Sequence, residues 1–325
     1  MAKRFTAAQY ADGILAGNRV VLSQTITLAE STLASDQALT QQVLDQVLPH
    51  AGKSVRVGIT GVPGVGKSTF IEALGLFLVN EQHKHLAVLA VDPTSQRSGG
   101  SILGDKTRMN QLAAHPAAYI RPSPAGRSLG GVTRSTREAM LLCEAAGYDV
   151  IFVETVGVGQ SETAVHGMVD FFLLLMLAGA GDELQGIKKG IMEMADAVTI
   201  TKADGGNELA ARRARREYQN ALHLFPATES GWQPVVTTSS AVSGVGVPEV
   251  WDVVQQYMQQ TQASGYFQRR RQAQNLHWLH EAIRHGLEER FYARPDVQAQ
   301  LAAIRQQVIS GQKSAFGAAG ELLGL

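Results

Sequence analysis

Little in the sequence points to an extracellular or membrane-bound protein. The 325 residues include a single cysteine, which excludes an intramolecular disulfide framework. The first fifteen residues, MAKRFTAAQYADGIL, lack the long apolar core of a secretory signal. The most apolar run, residues 171–180, is too short to span a bilayer and is typical of a buried strand. We therefore expect a soluble protein of the cytoplasm that makes no contact with membranes.

The charge pattern does not indicate a nucleic-acid partner. The 29 basic residues (Lys and Arg) are balanced by 29 acidic residues, so the formal net charge is +0. Two arginine-rich stretches, residues 212–216 and 269–271, stand out locally. The first has no interleaved aromatic residues, and we interpret both as solvated helix faces. The sequence predicts no nucleic-acid binding.

A glycine-rich loop stands between a predicted strand and a predicted helix. Residues 55–60 form a β-branched run, and apolar residues recur at helical spacing from Thr69 onward. Between them lies a complete phosphate-binding pattern, made of Gly61, Val62, Pro63, Gly64, Val65, Gly66, Lys67 and Ser68. In such loops the backbone N–H groups bind phosphate oxygens, Lys67 would reach the terminal phosphates and Ser68 would bind Mg²⁺. The pattern predicts a nucleoside triphosphate site.

Strands and helices alternate from the strand before this loop onward. The alternation between residues 54 and 261 predicts an α/β fold, a doubly wound and mainly parallel sheet around a P-loop domain. Residues 1–53 have the spacing of helices and predict an N-terminal helical extension. Residues 262–325, rich in Gln, Arg and Ala, predict a C-terminal helical arm. An apolar stripe on that arm favours a homodimer; its residues are Leu276, Leu279, Ile283 and Leu287.

Acidic residues follow two of the predicted strands. Asp92 comes directly after residues 86–91, and Glu154 after residues 149–153. Ligands of parallel sheets bind at the carboxyl ends of the strands. We therefore expect both carboxylates to converge on the phosphate-binding loop.

A second motif concerns the base of the nucleotide. Thr201-Lys202-Ala203-Asp204 resembles the Asn-Lys-x-Asp motif of GTPases, with threonine in the place of asparagine. The carboxylate of Asp204 can accept hydrogen bonds from both N–H donors of guanine, which adenine does not offer. Residues Ser239, Ser240 and Ala241 resemble the segment whose backbone contacts the guanine oxygen. Together these motifs predict GTP and GDP rather than ATP as ligands.

Taken together, the motifs resemble one family. GVPGVGKST, VDPTS, GDKTRM, LAGAGDELQGIKKGI and TKAD closely resemble the MeaB/ArgK/MMAA family of P-loop GTPases. The resemblance implies a homodimeric chaperone that gates cofactor loading to adenosylcobalamin-dependent methylmalonyl-CoA mutase and protects or reactivates that enzyme. Some members carry an older label as kinases of arginine/ornithine transport. That label implies an alternative, phosphoryl transfer to a periplasmic transport component.

The resemblance also implies roles for individual residues. Asp92, Asp105 and Glu154 match acidic positions around Mg²⁺ and the attacking water, and Gly157 matches the glycine that follows the γ-phosphate. The segment from about 178 to 189 matches an extra switch loop, in which Lys188 would carry charge toward the transferring phosphate. The charged residues of this loop are Asp182, Glu183, Lys188 and Lys189. No glutamine follows Gly157 directly, which predicts slow intrinsic hydrolysis.

Overall fold

A central strand carries the phosphate-binding loop. The computed structural model describes residues 4–91, 109–122, 129–155, 161–179, 189–226 and 228–324. Within these ranges seven strands form one parallel sheet, in the order β3-β2-β4-β1-β5-β6-β7. The strands are β1 Val55–Gly61, β2 Leu86–Val91, β3 Ala118–Arg121, β4 Val150–Thr155, β5 Phe171–Leu177, β6 Ala197–Thr201 and β7 Val235–Thr238. Strand β1 therefore lies between β4 and β5, and the predicted fold class is confirmed.

Helices cover the sheet and continue beyond it. Those that precede or connect the strands are α1 Ala7–Leu15, α2 Arg19–Ala29, α3 Ala34–Val47, α4 Lys67–Asn80, α5 Asn110–Ala114, α6 Leu129–Ala145, α7 Ser161–His166, α8 Lys189–Met194 and α9 Glu208–Leu222. Those that follow β7 are α10 Val247–Ala263, α11 Tyr266–Tyr292, α12 Pro295–Ile309 and α13 Ala315–Leu323. In the described part of the chain, no helix is both long and apolar enough to cross a membrane.

Polar side chains cap the first two N-terminal helices. Thr6 caps α1 through a reciprocal pair of hydrogen bonds with Gln9, and the side chain of Asn18 caps α2. Both caps satisfy backbone N–H groups that a helix start leaves without partners. Helix α2 packs against α6, so the extension covers a helix of the sheet layer.

The chain divides into two compact units, residues 1–271 and 272–325. The first contains the sheet and the helices up to the first turns of α11. The second contains the rest of α11 together with α12 and α13, and α12 packs against α13. On the second unit the side chains of the predicted apolar stripe are 50–63% exposed; they are Leu276, Leu279, Ile283 and Leu287.

The predicted solvated face at residues 269–271 is wrong for two of the three arginines. Arg271 pairs with Asp170, with its Nη2 2.7 Å from Oδ2, and it donates to the carbonyl of Ser54. Arg270 lies 3.9 Å from the carboxylate of Asp196. Asp170 immediately precedes strand β5, and Asp196 immediately precedes strand β6. Arginines far away in the sequence therefore neutralise acids at the amino edge of the sheet, and only Arg269 stays exposed.

Candidate functional site

The phosphate-binding loop has the predicted strand–loop–helix context. Strand β1 ends at Gly61 and helix α4 begins at Lys67. Gly64 and Gly66 have φ angles of 75° and 88°, the left-handed region that favours glycine. At Gly61 a Cβ would lie 2.6 Å from the carbonyl oxygen of Leu175 in β5. The glycines are therefore required by backbone conformation and by close strand packing.

Lys67 and Ser68 are the first two residues of helix α4, directly after the glycines of the loop. The Nζ of Lys67 donates to the carbonyl oxygen of Gly61 at 2.9 Å, so its side chain folds back over the loop. Burial lowers the pKa of Lys67, and the carboxylates of Glu154 and Glu162 oppose that shift. The ammonium group therefore sits in a partly buried, acidic environment beside the helix start.

Glu154 comes from the neighbouring strand. It lies in β4, opposite Ile59 of β1, and is 4% exposed. The hydroxyl of Ser68 donates to its Oε1 at 3.5 Å. One residue further on, the hydroxyl of Thr155 donates to that of Thr60 at 2.8 Å, which joins the ends of the two strands. The structure thus places Glu154 next to the phosphate-binding loop, as predicted.

Sequence reasoning missed a second buried carboxylate near Lys67. Glu162 lies in the first turn of α7 and is fully buried. The signal that could have revealed it is its position, because it follows a glycine-rich stretch at the start of a helix soon after Glu154. Its carboxylate makes the surroundings of Lys67 more acidic than the predicted site residues alone would.

The base-recognition motif is joined directly to the phosphate-binding loop. The hydroxyl of Thr201 donates to the carbonyl oxygen of Val65 at 2.8 Å. The Nζ of Lys202 donates to the carbonyl oxygen of Gly64 at 2.9 Å. Threonine thus supplies the tie between motif and loop, although asparagine is usual at its position. The two parts of the predicted site form one structure.

Asp204 is oriented by the segment that follows β7. The hydroxyl of Ser240 donates to the Oδ2 of Asp204, and the same hydroxyl oxygen accepts from the backbone N–H of Ser243 at 3.0 Å. The backbone N–H of Ala203 donates to the carbonyl oxygen of Ser239 at 3.0 Å. The segments 201–204 and 239–241 are therefore brought together, with Asp204 partly exposed.

Several predicted site residues lie outside the described residues. They are Asp92, Asp105, Gly157, Asp182, Glu183 and Lys188. Lys189 is the first residue of helix α8. The roles assigned to all of these residues stay predictions.

Comparisons with known proteins agree on one family. Residues 22–296 match the family model described as "Methylmalonyl Co-A mutase-associated GTPase MeaB". A Mycobacterium tuberculosis protein named "Probable GTPase" is 50% identical over 313 residues, which are 96% of this chain and 93% of that protein. The mouse protein named "Methylmalonic aciduria type A homolog, mitochondrial" is 47% identical over 331 residues, 99% of this chain and 79% of that protein.

A solved structure extends the agreement to the fold. The crystal structure titled "LAO/AO transport system kinase" superposes with a TM-score of 0.77 and 38% sequence identity. The match covers 100% of this chain and 98% of that chain. With the phosphate-binding loop and the guanine motif joined in one site, the chain is a P-loop GTPase that belongs to the MeaB family.

Proposed function

We propose that the protein uses GTP binding and hydrolysis as a conformational switch in a chaperone of adenosylcobalamin-dependent methylmalonyl-CoA mutase. In this role it gates cofactor loading and protects or reactivates the mutase. The observation that carries the proposal is the match of residues 22–296 to a family named for its association with that enzyme. The name of the mouse relative, which refers to methylmalonic aciduria, supports the same partner.

The proposed chemistry follows from the described side chains. Lys67 binds the terminal phosphates, and the backbone N–H groups of the loop and the start of α4 bind the remaining phosphate oxygens. Mg²⁺ prefers hard oxygen ligands. The hydroxyl of Ser68 and the carboxylate of Glu154, 3.5 Å apart and both buried, fit that preference. These two residues would hold the ion, which neutralises phosphate charge when bound, and Asp92 and Asp105 are proposed as further acidic positions.

The switch that senses the mutase is proposed to be the segment 178–189. This segment follows strand β5, and β5 pairs with β1 so that Leu175 lies opposite Gly61. Strand β5 therefore ends beside the phosphate-binding loop. Lys188 is proposed to bring its positive charge toward the transferring phosphate when the mutase binds, as an arginine finger does in other GTPases, and Asp182 is proposed as a further residue of this switch.

Phosphate release, measured with and without the mutase, tests this proposal. We expect the mutase to accelerate GTP hydrolysis by the wild-type protein, and Asp182→Ala or Lys188→Ala to reduce this acceleration far more than the intrinsic rate. Lys67→Ala gives the background without turnover. Equal acceleration in both loop variants would contradict the switch assignment. No acceleration of the wild type would contradict the proposed partner.

A second candidate function comes from the solved relative. Its title describes a kinase of LAO/AO transport, and it is 38% identical to this chain. A kinase of this kind would transfer the γ-phosphoryl group of a nucleotide to a transport protein instead of water. GTP labelled at the γ-phosphate distinguishes the two in an assay of the purified protein: released labelled phosphate supports the switch, and a labelled protein supports the kinase.

The proposal includes a homodimer in the cytoplasm. The apolar stripe on α11 is the support for the dimer, since four large apolar side chains at helical spacing are each at least half exposed; they are Leu276, Leu279, Ile283 and Leu287. A second copy of the chain would cover this stripe. The single cysteine, Cys143, is buried in α6 and fits a reducing compartment.

A further inference from the structure

Helix α7 lies between the phosphate site and a half-buried arginine, Arg270. The helix has six residues, Ser161–His166, and spans about 9 Å. At its first turn the buried carboxylate of Glu162 acts on the ammonium group of Lys67. At its last residue the Nε2 of His166 lies 3.2 Å from the Nη2 of Arg270, in the first turns of α11. One short helix therefore interacts with Lys67 at its first turn and with Arg270 at its last residue.

A glycine in β1 lets α7 lie directly on the central strand. A Cβ at Gly58 would lie 3.0 Å from Val165, 3.0 Å from Val169 and 2.8 Å from Phe172. Val165, in the middle of α7, is fully buried. Since Gly58 has no side chain, Val165 of α7 packs directly on the backbone of β1, and the helix has little room to shift unless its ends are released.

Arg270 holds the end of this helix by several contacts. Besides the ring of His166, its guanidinium donates to the carbonyl oxygen of His166 at 3.5 Å and to the hydroxyl of Tyr257 at 3.0 Å. The carboxylate of Asp196, 3.9 Å away, balances its charge. The ring of His166 also packs edge-on against Phe172, with ring centres 5.6 Å apart. The guanidinium thus bridges α7 to α10 and to the start of β6.

The imidazole of His166 is in the protonation state that can accept a hydrogen bond from Arg270. Burial, together with the charge of Arg270, lowers the pKa of His166 to about 4. At neutral pH the imidazole is therefore uncharged, and its Nε2 accepts the hydrogen bond from Arg270.

We propose that Arg270 is a positioning residue for GTP hydrolysis, which acts through His166 and helix α7 on the charge environment of Lys67. Lys67 keeps its charge and its hydrogen bond to Gly61, and the base-recognition motif is joined to the loop directly through Thr201 and Lys202, so the contacts that bind the nucleotide stay in place. Loss of the Arg270–His166 contact therefore lowers the rate of the chemical step and leaves nucleotide affinity nearly unchanged. The alternative is that Arg270 only neutralises Asp196 within the fold.

Single-turnover hydrolysis and GTP affinity, measured on the full chain, distinguish these roles. Arg270→Gln and His166→Leu are each expected to lower the hydrolysis rate about tenfold, or about 1.4 kcal/mol, with GTP affinity changed by less than about twofold. Arg270→Lys should restore most of the rate, because lysine can still donate to His166. Arg269→Gln is the matched control, since it removes the same charge from a neighbouring exposed residue.

Two further measurements separate positioning from a purely structural role. Arg270→Gln removes the cation beside buried Asp196, so the folding of this variant is checked by circular dichroism. His166→Leu keeps the Arg270–Asp196 ion pair and therefore gives an independent test. In the variant carrying both substitutions, the rate should be no lower than in the slower single variant.

The proposal is overturned by any of four results. The first is a wild-type hydrolysis rate in both Arg270→Gln and His166→Leu, and the second is a rate in the double variant that shows the two losses added together. The third is that hydrolysis rate and GTP affinity fall equally and that Arg270→Lys does not restore the rate. The fourth is that Arg269→Gln hydrolyses GTP as slowly as Arg270→Gln.

Discussion

The hydrogen bond from Thr201 to the phosphate-binding loop leads to a sharp prediction. Thr201 is 3% exposed, and its hydroxyl lies 2.8 Å from the carbonyl oxygen of Val65 and 3.3 Å from that of Met176. Thr201→Val has nearly the same shape but places a methyl group where the hydroxyl donated. Loss of one donor to a buried acceptor costs about 1–3 kcal/mol. We therefore expect the free energy of unfolding to fall by about 1–2 kcal/mol.

Nucleotide affinity should fall as well, because the lost bond joins the base-recognition motif to the loop. If most of the loss is expressed in binding, the Kd for GTP and for GDP rises by about tenfold, since 1.4 kcal/mol corresponds to a factor of ten. Urea unfolding gives the first quantity, and titration with a fluorescent guanine nucleotide gives the second. Thr201→Ser keeps the hydroxyl and serves as the matched control.

Thr201→Asn restores the residue usual in this motif and should bind nucleotide nearly as well as wild type, because its amide can also donate to Val65. Wild-type stability and affinity in Thr201→Val would refute the reasoning that this bond couples the two parts of the site.

Three other predictions concern catalysis, pH and assembly. Lys67→Ala removes the phosphate-binding charge and Ser68→Ala removes a proposed Mg²⁺ ligand, so both variants should lose turnover and keep the circular dichroism spectrum of the wild type. Wild-type turnover by either variant would contradict the proposed site. Burial and a nearby guanidinium lower the pKa of His166 from 6.5 to about 4, so its neutral form stabilises the fold above pH 6.5, and this contribution is lost as the pH falls toward 4. Relative to His166→Gln, the wild type should lose about 2 kcal/mol of unfolding free energy between pH 7 and pH 4.5, and a difference independent of pH would refute the assignment. Ile283→Asp should convert a full-length dimer to monomers in light scattering, whereas Ala282→Asp, exposed beside the apolar stripe, should not; a wild-type protein that is already monomeric at micromolar concentration would rule out the dimer.

Local sequence patterns predict those parts of the structure that depend on local chemistry. Gly64 and Gly66 of the phosphate-binding loop occupy backbone conformations that favour glycine, so they mark the loop directly in the sequence. Buried parallel strands appear as short apolar runs, and β2 begins and ends at the predicted residues 86 and 91. The helical spacing within residues 1–53 likewise predicts the N-terminal extension, which forms helices α1, α2 and α3.

Contacts between distant residues were harder to predict. Arg270 and Arg271 look like a surface cluster in the sequence, because the acids that pair with them lie about 75 to 100 residues earlier. Thr201 looks like a weakened motif, since only the fold brings its hydroxyl to Val65. The role of Glu162 near Lys67 likewise depends on how α7 packs on β1. In each case three-dimensional packing decides what a polar side chain does.

The central claim is that Asp204 and the phosphate-binding loop form one guanine-nucleotide site. Binding of GTP and of XTP to wild type and to Asp204→Asn tests it most directly. The substituted amide opposes the N–H donors of guanine but can donate to the extra carbonyl of xanthine. We predict that the variant loses affinity for GTP and gains affinity for XTP. Unchanged GTP binding by Asp204→Asn would remove Asp204 from the site and contradict the claim.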